Sequence, residues 1–345
     1  MTDPTATALP APGVGVEMPT RSRAATFLAS GAGRNIGLVV ALGLLCVAGV
    51  VTAGDRFADV DNVLTILRLA STIGVVSIGM TFVITGGGID LSVGAILALS
   101  SVYATTVGVQ TAATDVHWIV MVAVSLAVGM ACGLVNGVLI AYGRIVPFIA
   151  TLAMLASARG LAEIVSDRKT QIIDVDGFAD FFGAEIVGIP ALVIIFAVVS
   201  LIGWILLNRT TFGRRTLAVG GNPEATRLAG INVRRHTVLL YVLSGLCCGI
   251  AAVMLVARTT TGTSTHGNLY ELDAIAAVVI GGTLLSGGRG TIVGTIFGVL
   301  IFSTLTNIFT LNNQSFSTQS VVKGAIIVVA VLLQQRLASR GTARE

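Results

Sequence analysis

Asn208–His236, NRTTFGRRTLAVGGNPEATRLAGINVRRH, is the stretch that decides how this chain is laid out. It carries Arg209, Arg214, Arg215, Arg227, Arg234 and Arg235 against a single acid, Glu224. On either side lie apolar runs of spanning length, 187–207 before it and 237–257 after it. A basic hydrophilic segment between two such runs belongs on the cytoplasmic face, because cytoplasmic loops collect Lys and Arg. It is too long for a minimal turn and too structured in composition for a floppy linker. It therefore predicts a surface on which a partner docks.

Composition supports a membrane setting. The chain has 345 residues, 54% of them hydrophobic and only 11% charged, with a mean hydropathy of +0.92. So little charge suits a bundle whose solvent is lipid. The 41 glycines fit helices that pack by close backbone approach. The pI of about 9.1 does not point to nucleic acid, since the basic residues sort by loop. Lys169 and Lys323 are the only lysines, and neither sits in a G-x-x-x-x-G-K-[ST] loop. Energy from ATP would have to come from another polypeptide. Cys46, Cys132, Cys247 and Cys248 all lie in apolar runs and read as small buried hydrophobes, not metal ligands.

Working outward, the apolar runs are 36–53, 63–85, 89–109, 117–141, 147–166, 187–207, 237–257, 272–286, 291–310 and 319–335. These predict an all-α polytopic bundle of about ten transmembrane helices, 35–336. A disordered N-terminal tail is expected over 1–34 and a short cytoplasmic tail over 337–345. Val51-Thr52-Ala53 before Gly54 resembles a signal cleavage site, but the preceding region is over-long and the first run is read as an uncleaved span. The run 272–286 is short for a full crossing and suggests tilt or a half-helix. With both termini inside, the inner segments hold Arg21, Arg23, Arg34, Arg144, the six loop arginines, Arg289, Arg336, Arg340 and Arg344. The outer loops hold only Arg56, Arg168, Lys169 and Arg258 among basic residues, together with most of the acids. That asymmetry favours an even number of spans.

Gly87–Gly94 (GGIDLSVG) echoes Gly287–Gly294 (GGRGTIVG), which suggests an internal duplication, parallel or inverted. Asp90 and Ser92 stand where a helix begins after Gly86-Gly87-Gly88, and Asp90 is expected to cap it; a gate or pathway role is the alternative. Glu271 and Asp273 are expected at the outer mouth of the eighth span, as solvated loop acids, as a pair binding polyol hydroxyls, or as a contact for a partner's arginines. Arg159 and Glu163, four apart on one span, are expected to face the bundle interior and pair, with a role in the translocation pathway as the alternative. Arg68 and Lys323 are expected to snorkel. Asn136, Thr304, Thr306 and Asn307 add polar groups for interhelical bonds or a neutral ligand. The spans offer no proton-relay set, which counts against an ion-coupled carrier. No nucleophile elbow or H-E-x-x-H motif appears, so neither a catalytic residue nor a metal site is expected.

Three stretches in this order, Gly79–Gly94 (GMTFVITGGGIDLSVG), Phe212–Ile231 (FGRRTLAVGGNPEATRLAGI) and Tyr270–Gly298 (YELDAIAAVVIGGTLLSGGRGTIVGTIFG), resemble the permease subunits of bacterial ABC sugar importers of the ribose/xylose/galactoside class. The likeness runs from about residue 60 to 335. Branched-chain amino acid permeases look related but match GGGIDLSVG less well. The resemblance implies a type II importer-like fold in the cytoplasmic (inner) membrane. It also implies partners: a second permease copy, a cytoplasmic ATPase that holds the ATP and Mg, and an extracytoplasmic sugar-binding protein. It puts a coupling helix at Gly220, Gly221, Asn222, Pro223, Glu224, Ala225, Thr226, Ala229 and Gly230. Local chemistry agrees with a helix there: Asn222 caps, Pro223 suits the first turn, Glu224 favours the dipole, and Gly230 stops it. Such a helix would present Ala225, Leu228 and Ala229 to a groove. The function implied is import of a monosaccharide or small polyol. The alternatives are an ABC permease for another small solute, such as a signalling furanose, nucleoside or amino acid, or a secondary carrier.

Overall fold

A computed structural model describes residues 31–342, so most of the expected N-terminal tail and the last three residues lie outside it. The long helices are Gly31–Ala53, Val60–Thr85, Ile119–Ala141, Pro147–Ser166, Ala191–Arg209, Val233–Thr259, Ile292–Leu311 and Phe316–Thr342. Among the described residues, seven helices are long and apolar enough to cross a bilayer. The pair Val93–Ala104 and Val107–Asp115, bent by 56°, is a broken span or a re-entrant loop. The short helix Tyr270–Ile280 and the closing helix 316–342 bring the element count into line with about ten. The third run, expected as one helix over 89–109, is thus a broken one that starts later and ends later.

Glycine sets the central packing. Helices 119–141 and 233–259 run antiparallel, with Gly129, Gly133 and Gly137 facing Gly245, Tyr241 and Val238 in turn. A Cβ on Gly129 or on Gly245 would overlap the other's carbonyl, and one on Gly137 would lie 2.8 Å from Val238 Cα. Ser125 donates to Gly249 O at 2.9 Å across the same seam. Small residues every fourth position create this contact where lipid supplies no hydrophobic drive. Helix 60–85 lies against 233–259 in the opposite sense, Gly79 beside Ser244 and Cys247, and Gly86 beside Leu240. Cys247 and Cys248 are buried and all four cysteines are free thiols.

The order of elements repeats with reversed direction. In the first half a long helix (60–85), a break, a short helix (93–104), a long helix (119–141) and another (147–166) follow one another. In the second half the series is 233–259, a break, 270–280, 292–311 and 316–342. The two long leaders are antiparallel, so the repeat is inverted, the arrangement of many transporters. The Gly87–Gly94 and Gly287–Gly294 echo does not mark equivalent points: the first precedes a short helix and the second follows one. The two stretches instead touch, a Cβ on Gly287 falling 2.9 Å from Gly87 Cα.

Candidate functional site: the meeting of two short helices

The two short helices start close to one another inside the bundle. A Cβ on Gly94 would overlap Gly267 O and lie 2.6 Å from Glu271 Oε2. Residues 262–267 run alongside helix 93–104, Gly262 against Ser101 and Thr105, Gly267 against Gly94 and Leu97. Helix 270–280 then continues the descent for about 16 Å at 1.5 Å per residue. Its first turn sits beside Phe302 and Ser303, halfway along helix 292–311. Glu271 and Asp273 are therefore inside the bundle, not loop acids at an outer mouth. The reason is tertiary: the chain after Thr259 turns back into the protein before its helix begins.

Asp90, Ser92 and Asn136 come together. Asp90 is fully buried. Its Oδ1 accepts from the Ser92 N–H at 3.0 Å and from the Ser92 hydroxyl at 2.5 Å; its Oδ2 accepts from Ser244 Oγ at 3.0 Å. Asn136 Nδ2 donates to Ser92 Oγ at 2.9 Å, while its Oδ1 is buried with no hydrogen-bond partner. The cap position of helix 93–104 is Ser92 itself, whose side chain caps nothing. Asp90, expected as the cap, instead clamps the turn ahead of it and ties it to helix 233–259. Tyr241 adds a second tie, its hydroxyl donating to Ile89 O at 3.3 Å. Ser244 went unnoticed in the sequence, where the only signal was a hydroxyl beside Gly245 in an apolar run.

One expected pairing and two side chains expected to snorkel find other partners. Arg159 does not bond Glu163; its Nη1 donates to Ser264 O and to His266 O at 2.9 Å, satisfying the loop that turns inward. Glu163 lies a helical turn nearer the rim and takes Arg168 Nε at 3.1 Å. Lys323 does not snorkel, because Asp273 Oδ2 lies 2.9 Å from its ammonium and both are largely buried. Arg68 pairs with Glu185 at 2.7 Å. Asn307 and Thr304 lie apart from the Asp90 cluster. Asn307 exchanges two amide bonds with Asn62, at 2.7 and 3.2 Å, and Thr304 is buried on the same helix. Asp273 and Lys323 line a cavity of about 240 Å³ with Tyr270, Phe302, Ser303 and Thr306. At the rim, outside the spans, the Lys169 ammonium bonds Asp167 at 2.6 Å and holds that carboxyl below its ordinary range.

The basic segment folds as two helices, Thr211–Gly221 and Pro223–Leu228. Thr210 Oγ1 accepts from Gly213 N–H at 3.3 Å, and Asn222 Oδ1 accepts from Ala225 N–H at 2.9 Å. Pro223 opens the second helix. Gly230 closes it at φ +82, with Gly230 N–H reaching back to Arg227 O at 3.0 Å and Ile231 N–H to Thr226 O at 3.2 Å, the double return bond of a left-handed stop. Arg227 pairs with Glu224 at 2.5 Å. Thr226 faces inward, whereas Ala225, Ala229, Arg214 and Arg215 are exposed, and Leu228 is 79% exposed. Gly220 lies inward of that outer face, where a Cβ would overlap Thr85 O; Gly221 is exposed, and its Cβ would sit 3.8 Å from Gly288 Cα.

The arrangement is one of hydroxyls, amides and buried ion pairs inside a membrane bundle, with a separate exposed helix at one end. Comparison with known proteins agrees. Residues 62–331 match the family described as branched-chain amino acid transport system / permease component. The ribose import permease protein of Bacillus subtilis is 44% identical over 298 residues, 86% of this chain and 91% of that relative. The ribose import permease protein of Escherichia coli K12 is 41% identical, covering 85% and 91%. The L-arabinose transport system permease protein of Escherichia coli K12 is 40% identical, covering 87% and 90%. No solved structure matches the chain. This chain is a multi-pass membrane protein that belongs to the permease-component family of ABC import systems.

Proposed function

We propose that this chain is the membrane-spanning subunit of an ATP-driven importer for a monosaccharide, with pentoses as the first candidates. The sugar assignment is supported by relatives named for ribose and L-arabinose along nearly their whole length. The observation that carries the mechanism is the capped helix Pro223–Leu228, whose apolar tip Leu228 is exposed on a chain with no nucleotide loop of its own. A capped helix with an uncovered leucine and a basic surround suits a cleft on a soluble partner. The partner is a cytoplasmic ATPase that holds ATP and Mg. An extracytoplasmic binding protein delivers the sugar, and a second copy of this chain completes the pathway in the cytoplasmic membrane, both termini inside. ATP binding moves the 222–230 segments, and the two copies alternate between outward- and inward-open states. The chain's own groups act as weakly polar lining: Asp90, Ser92 and Asn136 are fully buried and hold the first break in place, while Asp273, which lines the cavity with Lys323, is the candidate for contact with the sugar.

The test is reconstitution with the cognate ATPase and binding protein, followed by uptake of D-ribose and L-arabinose with and without ATP. Uptake is expected to require ATP and to fall about tenfold or more in the N222A/E224A variant, in line with loss of a central interface anchor. Uptake by the purified chain alone under an ion gradient overturns the reading. So does undiminished uptake by that variant in an assembled complex.

A further inference from the structure

The geometry points to a glycine junction, formed by Gly87, Gly220, Gly221, Gly287 and Gly288, that transmits movement of the docking helices directly to both inward-turning breaks of the bundle. This rests on the docking role argued above and names the residues through which it acts. Three backbones meet there without an intervening side chain. The C-terminal end of helix 211–221 reaches the end of helix 60–85, where Gly220 abuts Thr85 O. The loop after the second short helix reaches the same place, with Gly288 N–H donating to Thr85 O at 2.9 Å. A Cβ on Gly287 would lie 2.7 Å from Gly220 O, and one on Gly288 2.9 Å from Gly221 Cα. A Cβ on Gly290 would overlap Thr85 Oγ1. Gly87, Gly287 and Gly288 have φ of +83, +82 and +75, a region that admits glycine readily and other residues at a cost.

Each arm of the junction is stiff. Gly87 N–H and Gly88 N–H return to Ile84 O and Val83 O at 2.9 Å, so the first break is wound tightly onto its helix. Beyond it, Asp90 is tied to Ser92 and Ser244, and helix 93–104 begins. The second arm closes on itself, Leu284 N–H to Arg289 O and Gly287 N–H to Leu284 O, both 3.0 Å. It leads back to helix 270–280. The N-terminal ends of the two short helices then meet at Gly94, Gly267 and Glu271. Backbone in contact with backbone has no rotamer to absorb a displacement, so a shift of the docking helices is passed on rather than dissipated. The glycines are positioning residues, and none of them needs to touch the sugar or the ATPase.

A graded wedge tests this. Gly221 has space for a methyl group, 3.8 Å from Gly288 Cα, so G221A should assemble and transport as the unsubstituted chain does. Gly221 is itself exposed, and the larger side chains of G221V and G221L crowd Gly288 on the 284–289 turn, the one neighbour within 4 Å of a Cβ there. In the full transporter with D-ribose or L-arabinose, the ATP hydrolysed per sugar carried should rise stepwise, by about tenfold for G221L, within the range over which coupling networks respond. G43L, on a helix position with open space around it, should leave that ratio unchanged. An assembled G221L complex with the ordinary ratio overturns the junction and leaves the docking role standing. A fall of uptake and hydrolysis in equal proportion also overturns it, since that is what structural damage alone does. Failure of the unsubstituted complex to couple ATP to uptake sinks the docking role and this inference together.

Discussion

Asp90 is held on both carboxylate oxygens, by Ser92 on one and Ser244 on the other, and it is wholly buried. Removing it leaves two hydroxyls and a backbone N–H without their acceptor in a site water does not reach. We expect D90A to cost about 2–4 kcal/mol, read as a drop in the midpoint of thermal unfolding in detergent. D90N keeps one acceptor and places an amide where Ser244 Oγ can accept, so it should cost less than half as much. Equal losses in the two variants would show that shape and not hydrogen bonding matters at this position. Lys323 and Asp273 pose the complementary case. K323A strands a carboxylate among Tyr270, Phe302 and Ser303, with an expected loss of about 3–5 kcal/mol for a broken buried pair. The double variant K323A/D273A should recover much of it, and a double-mutant cycle with no coupling energy would refute the pairing.

At the scale of elements, helix 119–141 and helix 233–259 depend on the absence of side chains along their seam. Each half of the contact is a backbone carbonyl over a glycine. G129A and G245A should each destabilise by about 1–3 kcal/mol through overpacking, whereas G43A, which meets nothing within 4 Å, should be neutral. Yield of monodisperse protein after mild heating would rank the three. The short helices were only partly legible in the sequence. Gly86-Gly87-Gly88 signalled a break, because three glycines cannot continue a buried helix cheaply, and Asp90 and Ser92 were rightly set beside it. The second break was not legible. Nothing in 260–269 distinguishes a loop that turns inward from one that stays outside, since its polar backbone is satisfied by Arg159, a residue a hundred positions away. For that reason Glu271 and Asp273 were expected at a mouth and Arg159 beside Glu163.

For the whole molecule, the exposed helix Pro223–Leu228 is the part proposed to meet a partner. L228D should leave the bundle folded, since Leu228 is 79% exposed and surface changes usually shift stability by about 0.5 kcal/mol or less. It should nevertheless abolish co-purification with the ATPase and reduce ATP-dependent uptake by about tenfold or more, as expected for an interface anchor. Retained co-purification would move the contact elsewhere on the 208–236 segment.

Hydropathy, the distribution of arginine and the residues Asn222, Pro223 and Gly230 were enough to determine a polytopic bundle, its approximate spans and the place and caps of the helix Pro223–Leu228. These follow from local rules: lipid excludes charge, and a helix end is chosen by the few residues around it. The inverted relation of the two halves, the inward-turning breaks, the Lys323–Asp273 pair and the junction of Gly87, Gly220 and Gly287 were decided only in three dimensions. Each depends on which backbone arrives opposite which glycine or carboxylate, and residues 50 to 200 positions apart carry no local trace of that encounter.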